Sequence, residues 1–339
     1  MKMVRVMVWG CGRIARMVHL RELAGNPRVR VVAMADADAD NLTDASSVFP
    51  DAATFPDFRA ALEVEADAVV VCLPPKLHAP SAIAAFEAGH AVYLEKPLAL
   101  NPAEGAAVVE AWRASGRIGV MGFNFRFHPR SDDLRERLHE VGPLRAVQTC
   151  FTSQPRTLPE WKRTRAGGGG VLMDLGSHHV DLVRHLLGSE VRRVTAFERS
   201  HEVESDNAVL LAEFENGVLM QSLLSMNSIQ SHRWDVFGRD GRFGVDLRRP
   251  LHLEVQEASW EHARLKRVLS RVVALSPREI ALRPGWEPSF GRSLDAFVTS
   301  VARGDPDPVA ATIEDGLASL SVVAAAEESA RSGRPVDTG

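Results

Sequence analysis

Lys96, Asp174 and His178 are the residues whose types suit proton and hydride chemistry. A secondary alcohol gives up a hydride only as its hydroxyl proton leaves. That reaction needs a base near neutral pKa and a positive group beside the developing alkoxide. His178 suits the first role and Lys96 the second, and Asp174 can hold either one in place. Leu94-Glu95-Lys96-Pro97 puts the ammonium at the end of an expected strand, where the proline stops the ladder. Asp174-Leu175-Gly176-Ser177-His178 puts carboxylate and imidazole one helical turn apart, with Asp181 continuing the stripe. Read without this convergence, the same residues are ordinary polar positions of an amphipathic helix and a solvated lysine.

Hydride chemistry needs an acceptor, and the N-terminus offers a place for one. Gly10-Cys11-Gly12-Arg13-Ile14-Ala15 fits G-x-G-x-x-G/A between an expected strand and an expected helix. The first glycine permits a sharp turn, and the second lets backbone approach a pyrophosphate. The small alanine allows close helix–strand contact, and the helix N-terminus faces the phosphates. Asp36 ends the next strand, placed to accept hydrogen bonds from the adenosine ribose. A 2′-phosphate would meet that carboxylate and the acidic Ala37-Asp38-Ala39-Asp40, so the expected cofactor is NAD rather than NADP. Arg13 is within reach of a phosphate.

The elements that must position these residues follow from hydrophobic pattern. Apolar runs at 4–9, 29–35, 68–73, 91–95 and 118–122 read as buried strands, and helices at 13–23, 80–88 and 102–115 alternate with them. That alternation means parallel β-α-β units, an α/β doubly wound Rossmann domain over 1–123. After Asn124 the pattern changes. Asn216-Gly217 and Asp240-Gly241 are hairpin turns between alternating segments. Helices at 294–302 and 313–330 follow, so 124–339 reads as an α+β domain with a largely antiparallel open sheet.

At 339 residues and 45% apolar, the chain is long enough for two cores. A formal charge of −4 argues against a general nucleic-acid partner. Three widely spaced cysteines make neither a disulfide framework nor a zinc site, and no spacing suggests another metal. With no apolar run of membrane length and no leader-like N-terminus, the expected home is the cytoplasm.

The combined motifs resemble the glucose–fructose oxidoreductase / inositol dehydrogenase / MocA (Gfo/Idh/MocA) family over essentially the whole chain. The matching text is Gly10-x-Gly12-x-x-Ala15, Leu73-Pro74 with His78, Glu95-Lys96-Pro97, Asn124 with Arg126-Phe127, and Gly168 to His178. The resemblance implies nicotinamide lying between the two domains, and Lys96, Asp174 and His178 as the catalytic set. It places Leu73, Pro74, Glu95 and His78 near the cofactor. Pro75 stands where the family often has asparagine, which puts one cofactor contact in doubt. The aromatic-basic pair Trp161-Lys162 matches a segment close to substrate or nicotinamide. Asn124 and Arg126 offer themselves to substrate hydroxyls or, equally, to the strand end they follow. His179 reads as a packing histidine rather than a base. The basic run Arg264 to Val273 reads as a solvated face, with a subunit contact or a phosphorylated sugar as its alternatives. A homodimer or homotetramer through the open sheet is implied.

The expected activity is oxidation of a secondary hydroxyl of a sugar, inositol or aminocyclitol, or reduction of the matching ketone. Two alternatives stay open. One is a glycosidase-like elimination that uses tightly bound NAD for transient oxidation. The other is a non-catalytic dinucleotide-binding regulator.

Overall fold

The computed structural model describes residues 2–247, 253–257 and 287–338, so the basic run Arg264 to Val273 lies outside the described residues. By contacts the chain forms two compact units. The first is Met1–Phe127 with Ala166–Gly168 and Pro288–Ser321. The second is His128–Arg165 with Gly169–Glu287 and Val322–Gly339.

In the first unit, strands β1 (Val4–Trp9), β2 (Val29–Ala35), β3 (Ala53–Phe55), β4 (Ala68–Val71), β5 (Ala91–Leu94) and β6 (Gly119–Met121) make one sheet. Its order is β3-β2-β1-β4-β5-β6, and every pair is parallel. β4 and β5 are buried at every position, which is why they read as continuous apolar runs. Between strands lie α1 (Leu20–Gly25), α2 (Ala39–Val48), α3 (Phe58–Ala61), α4 (His78–Glu87) and α5 (Pro102–Ser115). The ends of α5 were written in the sequence. Asn101 caps it by accepting from Glu104 N–H, Pro102 opens it, and Gly116 closes it at φ +61°. This is the expected Rossmann arrangement.

The second unit begins with α6 (Pro129–Arg137) and β7 (Leu144–Thr152). It continues through α7 (Ser177–Leu187), β8 (Val191–Arg199), β9 (Asn207–Phe214), β10 (Leu219–Ser225), β11 (Ser231–Gly238), β12 (Gly241–Asp246) and β13 (Leu253–Glu257). The chain returns to the first unit for α8 (Ser289–Arg303) and the start of α9 (Ile313–Ser332), and the rest of α9 and the short β14 (Val336–Asp337) belong to the second. The eight-stranded sheet runs β13-β12-β11-β7-β10-β9-β8-β14. It is antiparallel except where β7 lies parallel to β10. Both expected hairpins are present, with Gly217 at φ +82°. One sheet face is covered, as Gly176 of the glycine-led helix sits against Leu224 and Ser329 of α9 bonds Ala196 N–H. Among the described residues no helix is long and apolar enough to cross a membrane.

Candidate functional site

Parallel strands with right-handed crossovers send all their carboxyl ends to one edge of the sheet, and there the chain is free to vary. The expected cofactor residues stand at that edge. Gly10 follows β1, Asp36 follows β2, Leu73 and Pro74 lie beyond β4, and Glu95 and Lys96 follow β5. Gly10 is at φ +89°, and a Cβ there would lie 2.5 Å from the Cys72 carbonyl carbon, so only glycine fits. Around Gly12 the opposite holds: a Cβ would meet nothing within 4 Å. That open space over backbone N–H groups suits a pyrophosphate. Arg13 and Ile14 lead into a π-turn (Ala15–His19) that runs on into α1, with Ala15 wholly buried. Asp36 is already engaged, since Oδ2 accepts from Cys11 N–H at 2.7 Å and Oδ1 from Asp38 N–H at 2.8 Å. It braces the glycine loop. Burial, reinforced by this carboxylate, pushes the Cys11 thiol up to about 12, so Cys11 is not a nucleophile in the loop.

His78 ties two of these loops together. Its Nδ1 lies 2.5 Å from the Pro97 carbonyl and its Nε2 2.7 Å from the Leu73 carbonyl. Burial lowers its pKa against the opposing pull of those carbonyls. Glu95, only 7% exposed, accepts from His19 Nε2 at 2.7 Å. Nothing in the sequence marked His19, which looks like one more residue on a buried helix face. Pro75 opens a 3-10 turn (Pro75–Leu77) and receives Gly168, where a Cβ would sit 2.6 Å from the proline ring. Lys96 is half-buried, and its peptide bond to Pro97 is cis. Asn124 and Arg126 are both buried. Asn124 Nδ2 donates to Ser289 Oγ at 2.6 Å, and Arg126 lies 3.3 Å from Asp315. The structural alternative for these two residues therefore has named partners within the first unit.

In the second unit the helix bearing Asp174 and His178 opens with another π-turn (Leu172–Gly176) that continues as α7. Asp174, His178 and Asp181 are 7%, 8% and 1% exposed, so this is no solvated amphipathic face. Asp174 Oδ2 receives Lys162 Nζ at 2.6 Å and has Arg156 at 3.7 Å. Lys162 and the half-buried Trp161 sit on a 3-10 turn (Glu160–Lys162). The sequence pointed to Lys162 but not to its pairing with Asp174, and Arg156 carried no signal at all. His179 is a core residue. Its Nδ1 lies 2.8 Å from Thr149 Oγ1 and its Nε2 3.3 Å from His232 Nε2, and burial lowers its pKa to about 3.

Comparison with known proteins agrees with this two-domain fold. Residues 4–123 match the model described as oxidoreductase family, NAD-binding Rossmann fold. Residues 136–338 match that of the oxidoreductase family, C-terminal alpha/beta domain. An inositol 2-dehydrogenase of Saccharopolyspora erythraea is 30% identical over 340 residues, covering 96% of this chain and 93% of its own. The crystal structure of GenD2 from gentamicin A biosynthesis, solved in complex with NAD, is 29% identical with a TM-score of 0.82, covering 99% and 97% of the two chains. An oxidoreductase domain protein from Kribbella flavida is 25% identical with a TM-score of 0.87, covering 100% of both chains.

Proposed function

The chain belongs to the Gfo/Idh/MocA family of oxidoreductases, and from that premise we propose that it is an NAD-dependent dehydrogenase acting on a secondary hydroxyl of a sugar, inositol or aminocyclitol. Reduction of the matching ketone is the same route reversed. NAD, when bound, supplies the acceptor for the carbon-bound hydride. Gly10, Gly12, Arg13, Ile14 and Ala15 hold its pyrophosphate, and Leu73, Pro74, Pro75, His78 and Glu95 shape the loops on its nicotinamide side. Asp36 keeps acceptor capacity for ribose hydroxyls beyond the two N–H groups it already binds. A 2′-phosphate would meet that negative charge, which supports NAD over NADP.

His178 takes the hydroxyl proton. Lys96 donates to the oxygen as it gains charge, and Asp174 fixes the orientation of the acid/base group. Trp161 and Lys162 contact the substrate, and Asn124 and Arg126 join them by exchanging Ser289 and Asp315 for substrate hydroxyls. One observation carries the reading. Asp174 and His178 are buried one turn apart, and the carboxylate is charge-paired with Lys162 at 2.6 Å. A buried charged group so close to an imidazole is the arrangement a proton-transfer site needs.

The test is NADH formation at mildly alkaline pH over a panel of inositols, aminocyclitols and sugars. Lys96→Ala and His178→Ala should each lower kcat by roughly a hundredfold or more while NAD still binds, measured by quenching of tryptophan fluorescence. Full turnover in both variants would remove the assigned roles. A homodimer or homotetramer built through the open face of the eight-stranded sheet is part of the proposal. So is a cytoplasmic setting, which suits three free cysteines.

A further inference from the structure

We infer that His19 is a positioning residue for hydride transfer: through Glu95 it fixes the segment from which Lys96 reaches the reacting oxygen. This rests on the dehydrogenase reading and adds to it a residue that acts at one remove from the chemistry.

Lys96 lies between two buried histidine anchors. Ahead of it, Glu95 Oε1 accepts from His19 Nε2 at 2.7 Å, and the Glu95 backbone N–H donates to Val71 O at 3.0 Å. Behind it, the Pro97 carbonyl meets His78 Nδ1 at 2.5 Å. His19 and His78 are 0% and 1% exposed, and all of these residues belong to the first unit. The His19 bond spans 76 positions of sequence. It runs from the π-turn behind the glycine loop to the residue that follows β5. One side-chain bond thereby joins the proposed pyrophosphate cradle to the proposed catalytic ammonium.

Stability alone does not account for a polar pair here. Tyr93 and Phe290 edge the imidazole, and Phe297 packs on Tyr93. In such surroundings two apolar side chains of similar volume pack without loss and often with a gain. What a buried hydrogen-bonded pair adds is one defined geometry. The carboxylate has a single anchor. Among the described residues Oε2 accepts no hydrogen bond, and the side chain keeps 9% exposure. Its charge is felt at Cys72, His78 and Tyr93, none of which hydrogen-bonds it. Gly122 leaves it room, since a Cβ there would lie 3.1 Å from both the carboxyl carbon and Oε2. Without His19 the carboxylate loses its donor and turns toward water or toward the ammonium of the next residue. Either movement displaces Lys96, and a misplacement of about 1 Å costs about a hundredfold in rate.

The test uses the full chain carrying His19→Leu, His19→Asn or His19→Gln. A glutamine amide reaches Oε1 from where Nε2 stood, and the shorter asparagine amide does not. Asparagine stands in if leucine blocks folding. Both readouts are taken per folded protein, counted by NAD bound at saturation. The first is acylation of Lys96 by acetic anhydride, followed by mass spectrometry, which needs no substrate. The second is NADH formation from the most active of myo-inositol, streptamine and D-glucose, with and without deuterium on the oxidised carbon.

His19→Leu and His19→Asn should change the acylation rate severalfold, upward if the segment loosens and downward if the freed carboxylate captures the ammonium. They should lower kcat roughly tenfold or more, with KM and NAD affinity little changed. The isotope effect on kcat should rise, because hydride transfer becomes slower than product release. His19→Gln should return all three readouts toward wild type. A merely structural histidine would alter the melting temperature and the yield of folded protein only. Unchanged Lys96 acylation, or an unchanged kcat and isotope effect, therefore overturns the inference, as does a loss that His19→Gln reproduces in full. Altered acylation with no NADH from any alcohol, even in the wild type, supports the anchoring of Lys96 and counts instead against the dehydrogenase reading.

Discussion

His19 and Glu95 are the clearest case of one side chain existing for another. His19 is fully buried and Glu95 nearly so, and they meet through Nε2 and Oε1 at 2.7 Å. His19 Nδ1 has no hydrogen-bond partner among the described residues, so the ring presents its N–H through Nε2. A bare ring nitrogen is a smaller burden than an orphaned N–H. Tyr93 and Phe290 edge the imidazole at 5.6 and 6.3 Å, so its surroundings are largely apolar. His19→Leu should therefore destabilise the protein by about 2–3 kcal/mol, the cost of leaving a buried carboxylate without its donor. In urea unfolding, a double variant with Glu95→Leu should lose less than the sum of the two single losses. Strict additivity would mean that the pair carries no coupling. Lys96 is the next residue, so this buried bond also fixes the chain from which the proposed catalytic ammonium projects.

At the scale of elements, two helices open with π-turns, one bearing the buried His19 and the other Asp174 and His178. A π-turn takes one extra residue into a helix and re-aims the side chains around it. No sequence pattern announces it, whereas the four-residue spacing of Asp174 and His178 was visible at once. The buried Rossmann strands were readable as apolar runs and the hairpins as Asn-Gly and Asp-Gly. β7 and β8 were missed, because each alternates irregularly and β7 finds its parallel partner β10 far along the chain. The pairing of Lys162 with Asp174 likewise depends on how a turn folds back, which local pattern does not encode.

His179 shows an element-level consequence of α7 lying on the sheet. It faces Thr149, Ser222, His232, Phe151 and Trp234, and none of these is an acid that would favour the imidazolium. Burial takes its pKa from 6.5 to about 3. The unfolded chain thus binds a proton between those values that the folded chain refuses. Stability from this group is complete above pH 6.5 and falls as pH drops toward 3, at about 1.4 kcal/mol per pH unit. Urea titrations from pH 7 to 5, both assay choices taken as about two units apart, should show a steeper acid loss in the wild type than in His179→Gln. Parallel slopes would contradict the assignment.

On the scale of the whole molecule, the eight-stranded sheet has one covered face and, among the described residues, another that carries exposed apolar side chains. Phe197 pairs with Val209, and Val209 with Leu223, so these residues share a face with Leu211 and Leu219. Phe197, Leu211, Leu219 and Leu223 are 57%, 44%, 57% and 47% exposed. Apolar side chains clustered on one sheet face mark an association surface, and the proposed occupant is a second copy of the chain. Leu223→Asp with Phe197→Asp should shift the mass measured by light scattering to that of the monomer. A wild type that is monomeric at micromolar concentration would remove the proposal.

The first unit is also discontinuous in sequence, because α8 belongs to it. Phe297 packs on Tyr93 at 5.7 Å, Ser293 reaches the Tyr93 hydroxyl at 3.2 Å, and Asp295 pairs with Arg28. During translation the ribosome must therefore read through the whole second unit's core strands and on past α8 before this nucleotide-binding unit is complete. A nascent chain stalled before α8 would expose an unfilled apolar slot, a natural station for a chaperone.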